Sequence, residues 1–142
     1  MNIILLSPND QWLDDHSVLL LDDRAIHICE VLKSNLGDRL RVGLRDGLQG
    51  YGVVQSIQAG AVHLTVDLHD PPPPRHRFDL ILALPRPKML RRIFRAVAEF
   101  GVNDLYLINS ARVEKSYWQS PLLKPNQIDH ALIAGMERSR DT

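Results

Sequence analysis

Four consecutive prolines, residues 71–74 within DPPPPRHR (70–77), constrain this chain more than any other stretch. Proline has no N–H to give to a helix or a ladder, and its ring fixes φ, so the run is a stiff extended spacer. It predicts one domain over 1–70, a linker over 71–77 and a second domain over 78–142. The charge changes at the same place. Residues 1–70 hold five Lys/Arg against ten Asp/Glu, and residues 71–142 hold twelve against seven, so a formal net charge of zero conceals halves of −5 and +5. Such asymmetry points to a polyanionic partner for the basic half.

Before the spacer the pattern is mostly strands. RLRVGL (39–44) alternates with Leu40, Val42 and Leu44 on one face, and AVHLTVDL (61–68) with Val62, Leu64, Val66 and Leu68. That period of two marks half-buried strands. YGVVQSI (51–57) is less regular, and Asp46-Gly47 and Ala59-Gly60 supply turns. One helix fits, with Asp22 or Asp23 as N-cap and Ala25, Ile26, Cys29 and Leu32 at helical spacing. A short helix among antiparallel strands predicts a small barrel, too small to enclose an active site.

After the spacer the order becomes strand, helix, strand, helix. FDLILAL (78–84) is a continuous apolar run, as in a strand covered on both faces. A helix follows from about Lys88 to Phe100, with Met89, Leu90, Ile93, Phe94, Val97 and Phe100 as its buried stripe and Gly101 as its left-handed stop. DLYLIN (104–109) is the second strand, and a second helix over 126–139 carries Ile128, Leu132 and Met136 in register. A strand, crossover helix and strand make a parallel unit. A parallel pair of only two strands looks unfinished, and one side of it, at positions such as Leu82 or Leu107, is expected to lack a cover and either to drive self-association or to cost the chain order toward Thr142.

Several chemistries find no support. GLQGYG (47–52) is G-x-x-G-x-G in a hairpin, not the strand-to-helix fingerprint of a dinucleotide site. The six histidines, at 16, 27, 63, 69, 76 and 130, show no metal-ligand spacing, and the lone Cys29 reads as a buried thiol. MNIILL is too short for a signal peptide core, and no apolar run reaches membrane-spanning length, which predicts a cytoplasmic protein.

The basic cluster remains. Arg86, Lys88, Arg91, Arg92 and Arg95 crowd the start of the predicted helix with no acidic residue between Asp79 and Glu99. Cations at a helix N-terminus oppose the macrodipole, at roughly 0.3–1 kcal/mol each. An anion at that terminus would reverse the sign of the arrangement. Four of these cations, Lys88, Arg91, Arg92 and Arg95, share one helical face, so a phosphate-binding face is the preferred reading and a solvated polar face the plainer one. Arg112 and Glu114 follow the second strand, and Glu137, Arg138 and Arg140 lie near Thr142; surface ion pairs are the default reading there.

HICEVLKSNLGDRLRVG, LPRPKMLRRIFRAVAEFGV, NSARVEKS and ERSR, in that order, resemble segments of the bacterial 16S ribosomal RNA uracil-N3 methyltransferases of the SPOUT superfamily. Phe100 stands where the family has Leu, Ala111 where it has Glu, and Arg138 where it has Gln. The resemblance implies a fold of mixed α+β and α/β type: a PUA-like small β-barrel followed by the first half of a trefoil-knotted α/β domain. It also implies a dimer, a ribosomal RNA partner in the small subunit and S-adenosylmethionine as cofactor. The family's glycine-rich cofactor loop has no counterpart here, so the chain is expected to stop short of the knot and to hold no cofactor-binding residue. The basic helix would then face RNA phosphate, joined by Lys33, Arg39, Arg41 and Arg45 of the barrel. Attack by uracil N3 requires loss of its proton, and a cation beside the uracil oxygens would stabilise the anion. Arg112 is the candidate for that role, with Glu99, Glu137 and Arg140 as neighbours orienting it. An RNA-binding module without catalysis and a protein-interaction adaptor are the alternatives.

Overall fold

The structure, a computed structural model, describes residues 2–142. Its contacts divide the chain into two compact units, residues 2–72 with Thr142 and residues 73–141.

The first unit is an open six-stranded sheet. Its strands are β1 (Ile4–Leu6), β2 (Gln11–Asp14), β3 (Ser17–Leu20), β4 (Arg39–Leu44), β5 (Gln49–Gln58) and β6 (Ala61–Asp70). They lie in the order β1-β4-β5-β6-β3-β2, antiparallel except for β1 beside β4. The edges β1 and β2 do not pair, so the expected barrel is not closed. The alternating residues Val42, Val54, Val62, Leu64 and Val66 fill the core together with Ile4, Leu6, Val18 and Leu20. β5 turns into β6 at Ala59-Gly60, both with positive φ, the geometry a two-residue hairpin needs to match strand twist. Gly50 is required by close approach, since a Cβ there would sit 1.9 Å from the Asp67 carbonyl oxygen.

The helix of this unit departs from its sequence pattern. α1 (Asp23–Ile26) is capped by Asp22, whose carboxylate accepts from the Arg24 N–H, and runs straight into a π-helical turn over His27–Val31. The wider turn adds a residue to the register. Ala25 and Ile28 therefore reach the core, while Ile26 and Leu32, predicted to share the buried stripe, are exposed. Cys29 is free, half-buried and packed against the core.

The second unit places two helices against a two-stranded parallel sheet. β7 (Leu80–Ala83) pairs with β8 (Leu105–Ile108), and the crossover between them contains α2 (Pro87–Glu99). Two 3-10 turns, Lys115–Gln119 and Pro121–Leu123, lead to α3 (Pro125–Ser139). Leu84, Leu90, Phe94 and Ala131 form the core, with Leu105, Leu107, Ile128 and Leu132 packed on it. Gly101 ends the α2 segment with φ +58, as its position predicts. Gly135 lets the helices close: a Cβ there would lie 2.3 Å from the Arg95 carbonyl oxygen and 2.8 Å from the Ala98 Cβ.

Two expectations for this unit change. Met89 and Phe100 are exposed, because the buried arc of α2 is Leu90, Phe94, Val97 and Ala98, and at 100° per residue both lie on its flank. The uncovered side of the sheet is not that of Leu82 and Leu107, which turn inward and are half-buried. It is the alternate face, where Ile81 is 66% and Tyr106 51% exposed beside Ile108.

Candidate nucleic-acid interface

The parallel sheet decides which cations can act together. β7 and β8 run in the same direction, so the segments that leave them emerge at one end, the carboxyl end, where open parallel sheets bind their ligands. From β7 the chain passes through Leu84 and Pro85 to Arg86, the N-cap of α2, and Pro87 supplies a first helical residue with no N–H. No side chain caps this terminus and no acidic residue lies in its first turn. Arg86, Lys88, Arg91 and Arg92 are all exposed. From β8 the chain enters a turn closed by the Val113 N–H on the Ser110 carbonyl, and this turn carries the exposed Arg112. Glu114 beside it is occupied, accepting the Tyr117 hydroxyl at 2.9 Å.

Arg95 leaves this group. It is half-buried, its Nε is sealed from solvent without a hydrogen bond among the described residues, and its carbonyl faces Gly135 of α3. On the free face of α2 it would sit one turn below Arg91 and Arg92; packing against α3 draws it in.

The residues expected to orient Arg112 are not beside it. Glu99 is the last residue of α2, and Arg138 Nε lies 3.1 Å from its Oε1, which ties together the C-terminal ends of α2 and α3. Glu137 is in that same last turn of α3, and Arg140 follows as its left-handed C-cap. A 13-residue helix spans about 20 Å, so these groups lie at the opposite end of the layer from the Arg86 terminus. The sequence brings them near in motif order only. The same end holds a shallow groove of ≈110 Å³ between Pro73, His76, Glu99, Gly101 and Ser139.

In the first unit Arg39 and Arg41 alternate on the outer face of β4, and register sets Tyr51 of β5 directly opposite Arg41. The Arg39 guanidinium carbon stands 3.7 Å over the Tyr51 ring centre, and Arg41 Nη2 donates to the Tyr51 hydroxyl at 3.3 Å. Residue pattern alone does not single out Tyr51. The available signal is the Asp46-Gly47 turn, whose hairpin register pairs 41 with 51. Arg45 lies beyond the end of β4, and Lys33, at φ +53, lies in the segment before it, so neither joins this pair.

The strongest electrostatic anchor serves the fold. Arg24 lies 2.7 Å from Asp10 and 2.6 Å from Asp22, and donates to the Leu5 carbonyl at 2.8 Å. The Arg24 hydrogen bond holds the Asp22 carboxyl below its ordinary range despite partial burial. Burial alone would lower the Arg24 guanidinium, but its bonds to the two carboxylates outweigh that and raise it.

Among the described residues, no group of three or more His, Cys, Asp or Glu could hold a metal ion, and no helix is long and apolar enough to cross a membrane.

This geometry can be set beside known proteins. The chain is 27% identical to the ribosomal RNA small subunit methyltransferase E of Treponema pallidum and 23% identical to the corresponding protein 1 of Borreliella burgdorferi. All of the chain is covered in both, against 54% and 58% of the relatives, so it spans about half the length of the curated relatives it matches. A solved structure of ribosomal RNA small subunit methyltransferase E from Neisseria gonorrhoeae, bound to S-adenosyl methionine, superimposes over 99% of this chain and 57% of its own. Its TM-score is 0.70 at 16% identity, which establishes a shared mixed α+β fold. The profile described as RNA methyltransferase domain matches residues 71–142, half of the chain and nearly the unit that gathers the basic residues at one sheet end. The chain thus belongs to the RNA methyltransferase domain family.

Proposed function

We propose that this chain is the RNA-gripping portion of an S-adenosylmethionine-dependent methyltransferase that modifies N3 of a uridine in 16S ribosomal RNA. In this reading the first unit is PUA-like, the second is the opening half of a SPOUT knot, and the protein works in the cytoplasm as a homodimer. The observation that carries it is the cluster of exposed cations, Arg86, Lys88, Arg91, Arg92 and Arg112, at the carboxyl end of a parallel pair inside the matched domain. Relatives named as small-subunit ribosomal RNA methyltransferases support the substrate.

S-adenosylmethionine supplies, when bound, a methyl group made electrophilic by its sulfonium. The two grooves described in the second unit do not fit it. One of them is ≈240 Å³, lined by Val97, Ala98, Val102, Leu105, Leu132 and Met136, where ligand pockets usually measure about 300–1,000 Å³. Its polar side chains are Arg75 and Asn103, and Arg75 is committed to Asp141. What this chain supplies is grip and charge. Arg86, Lys88, Arg91 and Arg92 hold phosphates, and Arg112 offers a cation to the uracil oxygens as the N3 proton leaves.

Replacing Lys88, Arg91 and Arg92 by Glu tests the grip. RNA affinity falls for all sequences alike, and the slope of log affinity against log salt flattens by about 0.7–0.9 for each phosphate that is no longer neutralised. The fold survives, since all three side chains are exposed. An unchanged slope removes the assignment. Calorimetric titration of the chain with S-adenosylmethionine should show no micromolar binding; micromolar binding would place a cofactor pocket within residues 2–142. The apolar outer face at Ile81, Tyr106 and Ile108 favours a second reading, a protein-interaction adaptor. That reading predicts no salt-dependent RNA binding at all.

A further inference from the structure

We infer that Arg39, Tyr51 and Arg41 form a stacking site for one unpaired ribonucleotide, with the base lying on the Arg39 guanidinium and the adjoining phosphate on Arg41. The inference rests on RNA being the partner, and it adds a residue, a binding mode and a preference for unpaired strands.

The register of β4 and β5 puts these three side chains on one face. Arg41 is opposite Tyr51 and Arg39 opposite Val53, while Val42, Gly52 and Val54 turn to the buried side. At 3.7 Å from the ring centre the Arg39 guanidinium is in van der Waals contact with Tyr51, a cation–π pair in which the ring covers one plane of the cation. Arg39 itself is exposed, so its other plane is open to solvent. Arg41 lies 5.4 Å from the same ring and is held laterally by the Tyr51 hydroxyl.

Neither guanidinium has a carboxylate partner among the described residues. The nearest acid by register, Asp67 across from Tyr51, stands 3.5 Å from His69 instead. Two arginines are thus ordered by an aromatic ring and its hydroxyl, and neither charge is neutralised. Holding a long side chain in one rotamer costs conformational entropy, a cost that a bound ligand would offset. The ligand that matches a flat, exposed cation beside a second cation is a flat π-system attached to a phosphate. Bases of an RNA duplex are hidden in its stack, whereas unpaired bases splay onto aromatic and guanidinium planes. Tyr51 is then a positioning residue that fixes the orientation of the Arg39 plane.

Arg39→Lys separates stacking from charge, because lysine keeps the cation and loses the plane. The full chain is titrated with a short labelled oligoadenylate and with an RNA duplex of the same length, across a range of salt. Affinity for the oligoadenylate should fall roughly 5- to 100-fold, the scale of one missing stack. The salt slope should hold, and duplex affinity should change less than about twofold. Tyr51→Leu should reproduce the oligoadenylate loss, and Tyr51→Phe, which keeps the ring, should retain most of the binding. Arg39→Lys behaving as wild type, or losing both RNAs equally, would overturn the stacking site. Should the Lys88, Arg91 and Arg92 replacements abolish salt-dependent RNA binding while Arg39→Lys does nothing, the proposed function stands and this inference falls. Should the unaltered chain bind neither RNA, both fall.

Discussion

The two units solve the burial problem in different ways. In the first, a six-stranded sheet encloses its apolar face around Ala25 and Ile28, and Arg24 ties Asp10, Asp22 and the Leu5 carbonyl to the helix start. In the second, α2 and α3 cover one face of β7 and β8, and the other face shows Ile81, Tyr106 and Ile108 to solvent. A parallel pair is ordinarily buried on both sides. The difference teaches where a bare sheet face is. The first unit buries the inner face of its sheet and shows apolar side chains such as Ile26, Val31 and Leu36 on and after its helix. The second leaves a face of the sheet itself uncovered beside a basic end.

The largest break in this comparison comes at Gly135. Gly135→Ala forces a methyl against the Arg95 carbonyl and the Ala98 Cβ, and separates the helices that supply the single covered face. Overpacking of this kind costs about 1–3 kcal/mol. Chemical denaturation followed by the far-ultraviolet helix signal measures it, and an unchanged midpoint would show that α2 and α3 do not need this close approach.

A smaller effect separates the units by pH. Burial lowers the His27 imidazole below its ordinary value of 6.5, and its Nε2 is buried without a hydrogen bond among the described residues. The unfolded chain then binds the proton more readily, so stability falls as pH drops below 6.5 and is regained above it. His27→Gln should flatten that decline in thermal melts between neutral and mildly acidic pH. A decline of the same size in the variant would assign it to other groups.

The smallest effect on stability, and the sharpest on the comparison, is at the open sheet face. Ile81→Lys together with Ile108→Lys should change stability by no more than about 0.5 kcal/mol, as exposed substitutions do. Sedimentation should show less self-association than in the unaltered chain. A large loss of stability would mean that the outer face is already covered.

The legibility of this molecule follows the same division. Strands β4 and β6 are readable because their apolar residues alternate along the sequence, cleanly in β6 and, in β4, with Gly43 of the other face also buried. β1, β2 and β3 are not, because three or four residues hold too few repeats to show a period, and β1 is buried throughout. The π-helical turn is invisible for another reason: Ile26 and Leu32 obey α-helical spacing that the backbone does not follow. At the candidate site, the basic start of α2 can be read from charge alone. Arg95 cannot be excluded without knowing that Gly135 lies against it, and Glu99 cannot be separated from Arg112 without the direction of α2. Tyr51 gains meaning only through the register that sets Arg39 and Arg41 around it.

The parallel pairing of β1 with β4 has a kinetic consequence. Ile4 meets Val42 and Leu6 meets Leu44, so the first strand made has no partner until nearly forty residues have followed it. β3 pairs locally with β2, but that hairpin docks only when Val62 to Thr65 of β6 have followed, a longer wait still. The β5–β6 hairpin, by contrast, closes across two residues and can form as soon as it exists. Local pairs form before distant ones because long loops cost entropy to close. Assembly of the sheet therefore proceeds outward from its middle, and the N-terminal strands are recruited last to a template that the later sequence has built.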